Sequence, residues 1–219
     1  MPGTATIGWM GNTAPTGLVV VSSDTKTGAG NALAAHALTG VAAGAVLIVT
    51  TAIDFSGGTA TITSSPSLTW TNRTDANSNE IYTAIFTAGG SINVTTTWND
   101  ASTASSVCTI VTGQEGTLGG AALSVQEGDA PGFGDPVSGT ITTTRNNSIV
   151  FGVIGDRNGV AGTVAYIGTP TQIFENRPGG FSSWHFYKTT TTAGALNQGL
   201  TAPSGGAAQS MGLYEIRTP

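Results

Sequence analysis

The chain has 219 residues, 39% of them hydrophobic and only 9% charged, with a net charge of −5 from 12 acids and 7 bases. That length makes one large domain or two small ones, and it supports a core without metal or disulfide staples. Charges so sparse and acidic exclude a nucleic-acid surface, which needs clustered Lys and Arg, and the strand-length apolar runs exclude a disordered chain. Weak surface charge leaves little repulsion between copies and so permits association.

In chain order, "MPGTATIGWMGNTAPTG" has no basic n-region and no long apolar h-region, so it does not read as a signal peptide. Synthesis and folding in the cytoplasm are expected. Residues 1–16 read as an extended N-terminal arm. Within it, Trp9 and Met10 form an apolar pair between glycines, outside any strand pattern. Such a pair is a candidate docking contact, with this domain's own flank or with another subunit. "GLVVVSS" (17–23) is the first strand. "GNALAAHALTG" (30–40) comes nearest to a helix, but its alternation fits a strand at least as well. "AVLIVTTAID" (45–54) is apolar on both faces, which predicts a central strand covered on both sides. "GTATITS" (58–64) is a short polar strand. "EIYTAIFTA" (80–88) puts Ile81 and Ile85 on one face and Tyr82 and Phe86 on the other.

"IFTAGGSINVTTTW" (85–98) reads as a hairpin turning at Gly89-Gly90. In its second arm Ile92, Val94, Thr96 and Trp98 share one face, and Asn93, Thr95 and Thr97 the other. Threonine is β-branched, so Thr-rich strands hold their conformation and stay soluble without charge. "ASSVCTIVTG" (104–113) is another covered strand. A Gly- and Pro-rich stretch follows (113–139), with one short strand, "AALSVQ". "TITTT" (140–144), "NSIVFGVIGD" (147–156, covered), "FSSWHFYKTT" (181–190) and "QSMGLYEIRT" (209–218) complete the strands.

The two halves repeat an order of events. A covered strand ("VLIVTTAID" or "IVFGVIGDR") precedes an aromatic strand end ("SLTW" or "TQIF"). Then come an aromatic strand ("IYTAIFTAGG" or "WHFYKTTTTAG") and a closing strand ("SVCTIVTG" or "MGLYEIRTP"). About a dozen strands without a covering helix imply sheets that cover one another. The expected fold is therefore an all-β, antiparallel two-sheet sandwich, jelly-roll-like, with a possible internal duplication. A single domain over 17–219, with both halves contributing to both sheets, is the favoured organisation. The alternative is two halves, 17–113 and 137–219, joined by the Gly/Pro-rich segment.

Chemical motifs are sparse. No Walker, C-x-x-C, H-E-x-x-H or G-x-S-x-G pattern occurs. The single cysteine, Cys108, sits among apolar neighbours and is expected to be a buried, inert thiol. His36 reads as a strand or strand-edge residue, and His185 as facing solvent or a neighbouring subunit. "DANSNE" (75–80) begins like a calcium loop, but Glu80 and Phe86 stand where glycine and a bidentate Glu are required, so a turn is expected. Glu115, Glu127, Asp129 and Asp135 lie together in the Gly-rich stretch, where a glycosidase would need carboxylates fixed across a sugar. Solvation fits them better. Trp70, Trp98, Trp184 and Tyr187 either fill the core or make a sugar-stacking platform. No catalytic residue, cofactor or metal is expected.

The run "ALTGVAAGAVLIVTTAID", followed by "LTW", "IYTAIFTAGGSINVTTTW" and "VCTIVTG", resembles a pattern of jelly-roll or Ig-like β-sandwich structural proteins of bacteriophage virions and prophages. The resemblance extends over residues 30–217, with a weaker echo in the second half. The chain departs from the pattern at Ala45, where Asp is usual. The resemblance implies a non-enzymatic virion component, such as a capsid decoration, head-fibre or tail protein. It would partner other virion proteins and copies of itself, with host-surface glycans as a further candidate partner, but no nucleic acid and no membrane interior. A carbohydrate-binding module or lectin-like adhesin is the alternative.

Overall fold

A computed structural model describes residues 17–54, 59–76, 78–126, 136–157, 159–177, 179–203 and 209–219. Among these residues there is no helix. The strands are β1 (Val19–Ala32), β2 (His36–Val41), β3 (Ala45–Ile53), β4 (Ala60–Ser65), β5 (Thr71–Ala76), β6 (Asn79–Phe86) and β7 (Gly90–Thr112). After the central loop come β8 (Ala122–Gln126), β9 (Ser138–Thr143), β10 (Ile149–Asp156), β11 (Ala165–Ile167), β12 (Thr171–Asn176), β13 (Ser182–Thr189), β14 (Gly194–Ala202) and β15 (Gln209–Ile216). Every pairing is antiparallel.

The chain forms the all-β sandwich that its strand grammar implies, in more layers than two. A wide sheet runs β1-β7-β3-β6-β5. Strand β7 is 23 residues long and serves two layers. Its second half pairs with β1 and β3, and its first half pairs with β2 and β4. The β2–β7–β4 flap folds back over the wide sheet and encloses a core with Leu38, Ile62, Ile92, Val94 and Trp98 on one side and Leu47, Val49, Phe86 and Cys108 on the other. A second wide sheet runs β12-β13-β10-β15-β8, and a three-stranded sheet, β11-β14-β9, covers its outer face. Trp184, Phe186, Ile154, Met211, Leu213 and Ile141 fill that core. The two wide sheets pack on each other through Val46, Ile48 and Ile81 against Phe151, Val153 and Tyr214.

The duplication anticipated from the sequence is spelled out in the strand order. Counting eight passes per half, each half makes a wide sheet in the order 1-8-3-6-5 and a small sheet in the order 2-7-4. The paired sequence segments fall on matching strands: β3 with β10, β6 with β13, and the end of β7 with β15. Each half keeps its strands in its own sheets, whereas mixed sheets were the favoured sequence expectation. The covered strands are as expected: all nine residues of β3 and all eight of β10 are buried. Three apolar interlayers explain why both faces of these strands must be apolar.

The expected hairpin at 85–98 is corrected. Strand β6 pairs with β3 and β5, while the first half of β7 pairs with β2 and β4, so the two never pair with each other. The Gly89-Gly90 turn instead arches from the wide sheet to its flap. Both glycines have positive φ, 71° and 105°, as the turn reading requires. The face assignment also holds: Ile92, Val94, Thr96 and Trp98 are buried. A hairpin and an arch share one local signature, and only the partners of the two arms distinguish them.

Candidate functional site

Among the described residues both histidines and the carboxylic acids Glu80, Asp156 and Glu215 are buried. His36, at the start of β2, is buried against the wide sheet. Its Nδ1 lies 3.2 Å from Asp24 Oδ2 and its Nε2 lies 3.1 Å from Ser106 Oγ. An ionised carboxylate only accepts, so the imidazole proton sits on Nδ1 and Ser106 donates to Nε2. Ser106 Oγ is also 3.1 Å from Thr96 Oγ1.

The order Asp–His–Ser is that of a hydrolase triad, but three features set it apart from one. Ser106 and His36 are both fully buried, so no substrate carbonyl reaches the hydroxyl. Burial lowers the imidazole to about 4, only partly offset by Asp24, which makes it a weak base at neutral pH. None of the three surface grooves described below is lined by these residues. The cluster works as a polar pin between β1, β2 and β7. Burial pushes the Asp24 carboxyl up, but the hydrogen bond from Lys26 together with His36 holds it below the usual range.

His185 is a correction. The sequence places it facing solvent or a neighbouring subunit, yet it is fully buried between the two wide sheets. Its Nδ1 lies 2.7 Å from Thr50 Oγ1 and its Nε2 lies 2.8 Å from Ser105 Oγ, which is 2.6 Å from Ser183 Oγ. Strand β13 has apolar Trp184 and Phe186 on one face and a polar-looking face beside it. A polar face reads as outward only if nothing packs on it, and here the first half of the chain does. Burial drives the His185 imidazole down to about 3. Cys108 is buried, and burial raises its thiol pKa, as expected of an inert cysteine.

The carboxylates are also engaged. Glu215 is buried and accepts from the backbone N–H of Ala121, Thr144 and Arg145 and from the hydroxyls of Thr144 and Ser148. Burial alone would raise its pKa, but these donors outweigh it and hold the carboxyl low. Glu80 accepts from Ala60 N at 2.6 Å and from Asn72 Nδ2 at 2.9 Å. Its carboxylate therefore braces β4 and β5 instead of opening a calcium loop, and Ala76 pairs with Asn79. Glu115, the one acid of the proposed quartet among the described residues, is ion-paired with Arg217. Glu127, Asp129 and Asp135 lie outside the described residues, as do Trp9, Met10 and the whole 1–16 arm. No group of three or more His, Cys, Asp or Glu among the described residues could hold a metal.

The four aromatics do not share a face. Trp98 is buried in the first outer core and Trp184 in the second. Trp70 is half-buried against the first core and Tyr187 against the central one. Shallow grooves mark the surface of the described residues instead, three among them. One of ≈ 390 Å³ lies by Gly159–Gly162 and Arg177, and one of ≈ 400 Å³ by Lys188 and Thr189–Thr192. The third, of ≈ 520 Å³, lies along Thr71, Arg73, Thr83 and Leu118. Threonine hydroxyls line the second and third, whereas the first is mainly apolar, walled by glycines, Val160 and Ala161. A further feature is β1, which among the described residues pairs on one side only and carries exposed Val19 and Val21.

Comparison with family models, with curated proteins and with solved structures finds no match to the chain. No helix among the described residues is long and apolar enough to cross a membrane.

Proposed function

We propose that this chain is a non-enzymatic structural protein of a bacteriophage virion, a capsid decoration, head-fibre or tail component. It docks on other virion proteins and on its own copies through loops, strand edges and residues 1–16. In this reading it is made in the host cytoplasm and works on the particle. The observation that carries the proposal is the inward placement of reactive groups. Both histidines, Ser106, Glu80 and Glu215 are buried in hydrogen-bond networks, while among the described residues the outer surface presents hydroxyls, strand edges and scattered charges such as Asp100 and Arg145. Such a molecule is rigid and adhesive, and its edge strands, β1 above all, offer backbone for docking. The resemblance over residues 30–217 points the same way.

Gold-labelled antibody against the chain, applied to purified particles and viewed by negative stain, tests the proposal. Regular labelling of head or tail is the expected result. A chain found only free in the lysate, with no particle association, overturns it. A glycan array run alongside addresses adhesion: binding without hydrolysis would move the assignment to a carbohydrate-binding adhesin.

A further inference from the structure

Strand β1 pairs with β7 along one side, and among the described residues no strand pairs with its other side. Sheets protect such edges with proline, with charged side chains, with bulges or with a covering element; the bulges of β1 lie only near its ends, at Val20/Ser22 and Gly30/Ala32. The sequence VVVSSDTKTGAGNA contains no proline, and its only two charges, Asp24 and Lys26, are paired with each other at 3.0 Å. The exposed large hydrophobics of the described residues, Val19 at 46% and Val21 at 55%, both sit on this strand.

We propose that two copies of the chain pair antiparallel through β1 about a two-fold axis at Thr25, joining their wide sheets into one. The charges set the register. A two-fold axis perpendicular to a sheet leaves each residue on its own face, so residues opposite each other must share a face and the axis must pass through a residue position. An axis at Asp24 sets aspartate against aspartate, and one at Lys26 sets lysine against lysine; both juxtapose like charges. An axis at Thr25 places Asp24 of each copy opposite Lys26 of the other, twice. Ser23 then faces Thr27, Ser22 faces Gly28, and Val21 lies beside Ala29, a small residue that leaves room for it. The register of β1 on β7 is unbroken from Ser22 to Gly30, so the paired segment is regular. The irregularity between Val20 and Ser22 ends the pairing there.

Light scattering and sedimentation of the full chain, from sub-micromolar to high-micromolar concentration, test this pairing. The expected result is a shift from a 21.8 kDa species to its double. Lys26→Glu sets acid against acid and Val21→Lys places a charge at the edge; each is expected to weaken the dimer about tenfold or more while far-UV circular dichroism stays unchanged. Hydrogen exchange should show amides of residues 22–28 gaining protection with concentration. A wild-type chain that stays monomeric throughout overturns the proposal. So does a dimer indifferent to both substitutions with no change in β1 exchange. The inference stands apart from the virion assignment: a monomer that labels particles refutes the pairing alone, and a dimer absent from particles refutes the assignment alone.

Discussion

His36 and His185 both have imidazoles whose folded pKa lies far below the free value, at about 4 and about 3. The unfolded chain therefore takes up protons first as the pH falls from about 6.5. Stability is whole above that pH and is lost progressively towards pH 4 for His36 and pH 3 for His185, a loss on the order of a few kcal/mol per residue. The buried carboxylate of Glu215 and the partly exposed one of Asp24, both held low, act in a lower window: their contribution is present above the free carboxyl pKa and fades as the pH drops through the folded value. Calorimetry between pH 7.5 and 3.5 should show the melting temperature falling before carboxylates titrate. His185→Gln should lower the melting temperature at pH 7 but flatten the slope between pH 6.5 and 4; an unchanged slope would show that the imidazole is not held neutral. The sequence made neither cluster legible. Asp24 comes from β1, His36 from β2, and Thr96 and Ser106 from the two halves of β7, and no spacing rule connects them. Cys108 was legible because the apolar run around it marks a strand covered on both faces, although the residues that bury it come from β3 and the flap.

At the level of elements, strands with β-branched or aromatic alternation declared themselves. Strand β14 did not: GALNQGLTA has two glycines and two amides, residues with poor strand propensity. It is a strand because β9 and β11 flank it and Leu200 enters the core. The same dependence on partners turned the expected hairpin at 85–98 into an arch. Glycines inside covered strands have a separate logic. A Cβ on Gly152 of β10 would overlap the Phe186 ring and lie 2.9 Å from Leu213 Cδ2. The site is close-packed on that face, so Gly152→Ala overfills it and should cost about 1–3 kcal/mol. Denaturant titration checks this, with a lower midpoint at constant m expected. A neutral substitution would mean that the second core is looser than its burial implies.

Across the whole molecule, two eight-pass sandwiches share one apolar interlayer. Val46, Ile48 and Ile81 leave water only when Phe151, Val153 and Tyr214 cover them. Burying each such side chain contributes roughly 1.5–3 kcal/mol, so separating the halves forfeits several of these terms at once. The halves should therefore unfold together. Trp98 and Trp184 lie in the two outer cores and report on them separately. With the double variant Trp70→Phe/Trp98→Phe and the single variant Trp184→Phe as reciprocal probes, fluorescence-monitored unfolding should give coincident transitions. Two resolved midpoints would show that the interlayer does not couple the halves.

The order of amino acids determined by itself that the chain is all β. It marked which strands are covered on both faces, since a strand apolar at every position has no side for water. It also displayed the duplication, because matched segments recur in matched order. Only the tertiary structure decided which strands pair, that the polar face of β13 turns inward, and that buried histidines meet hydroxyls contributed by distant strands. Pairing and facing depend on contacts between residues far apart in the chain, and local pattern records how a strand is built without recording what comes to lie against it.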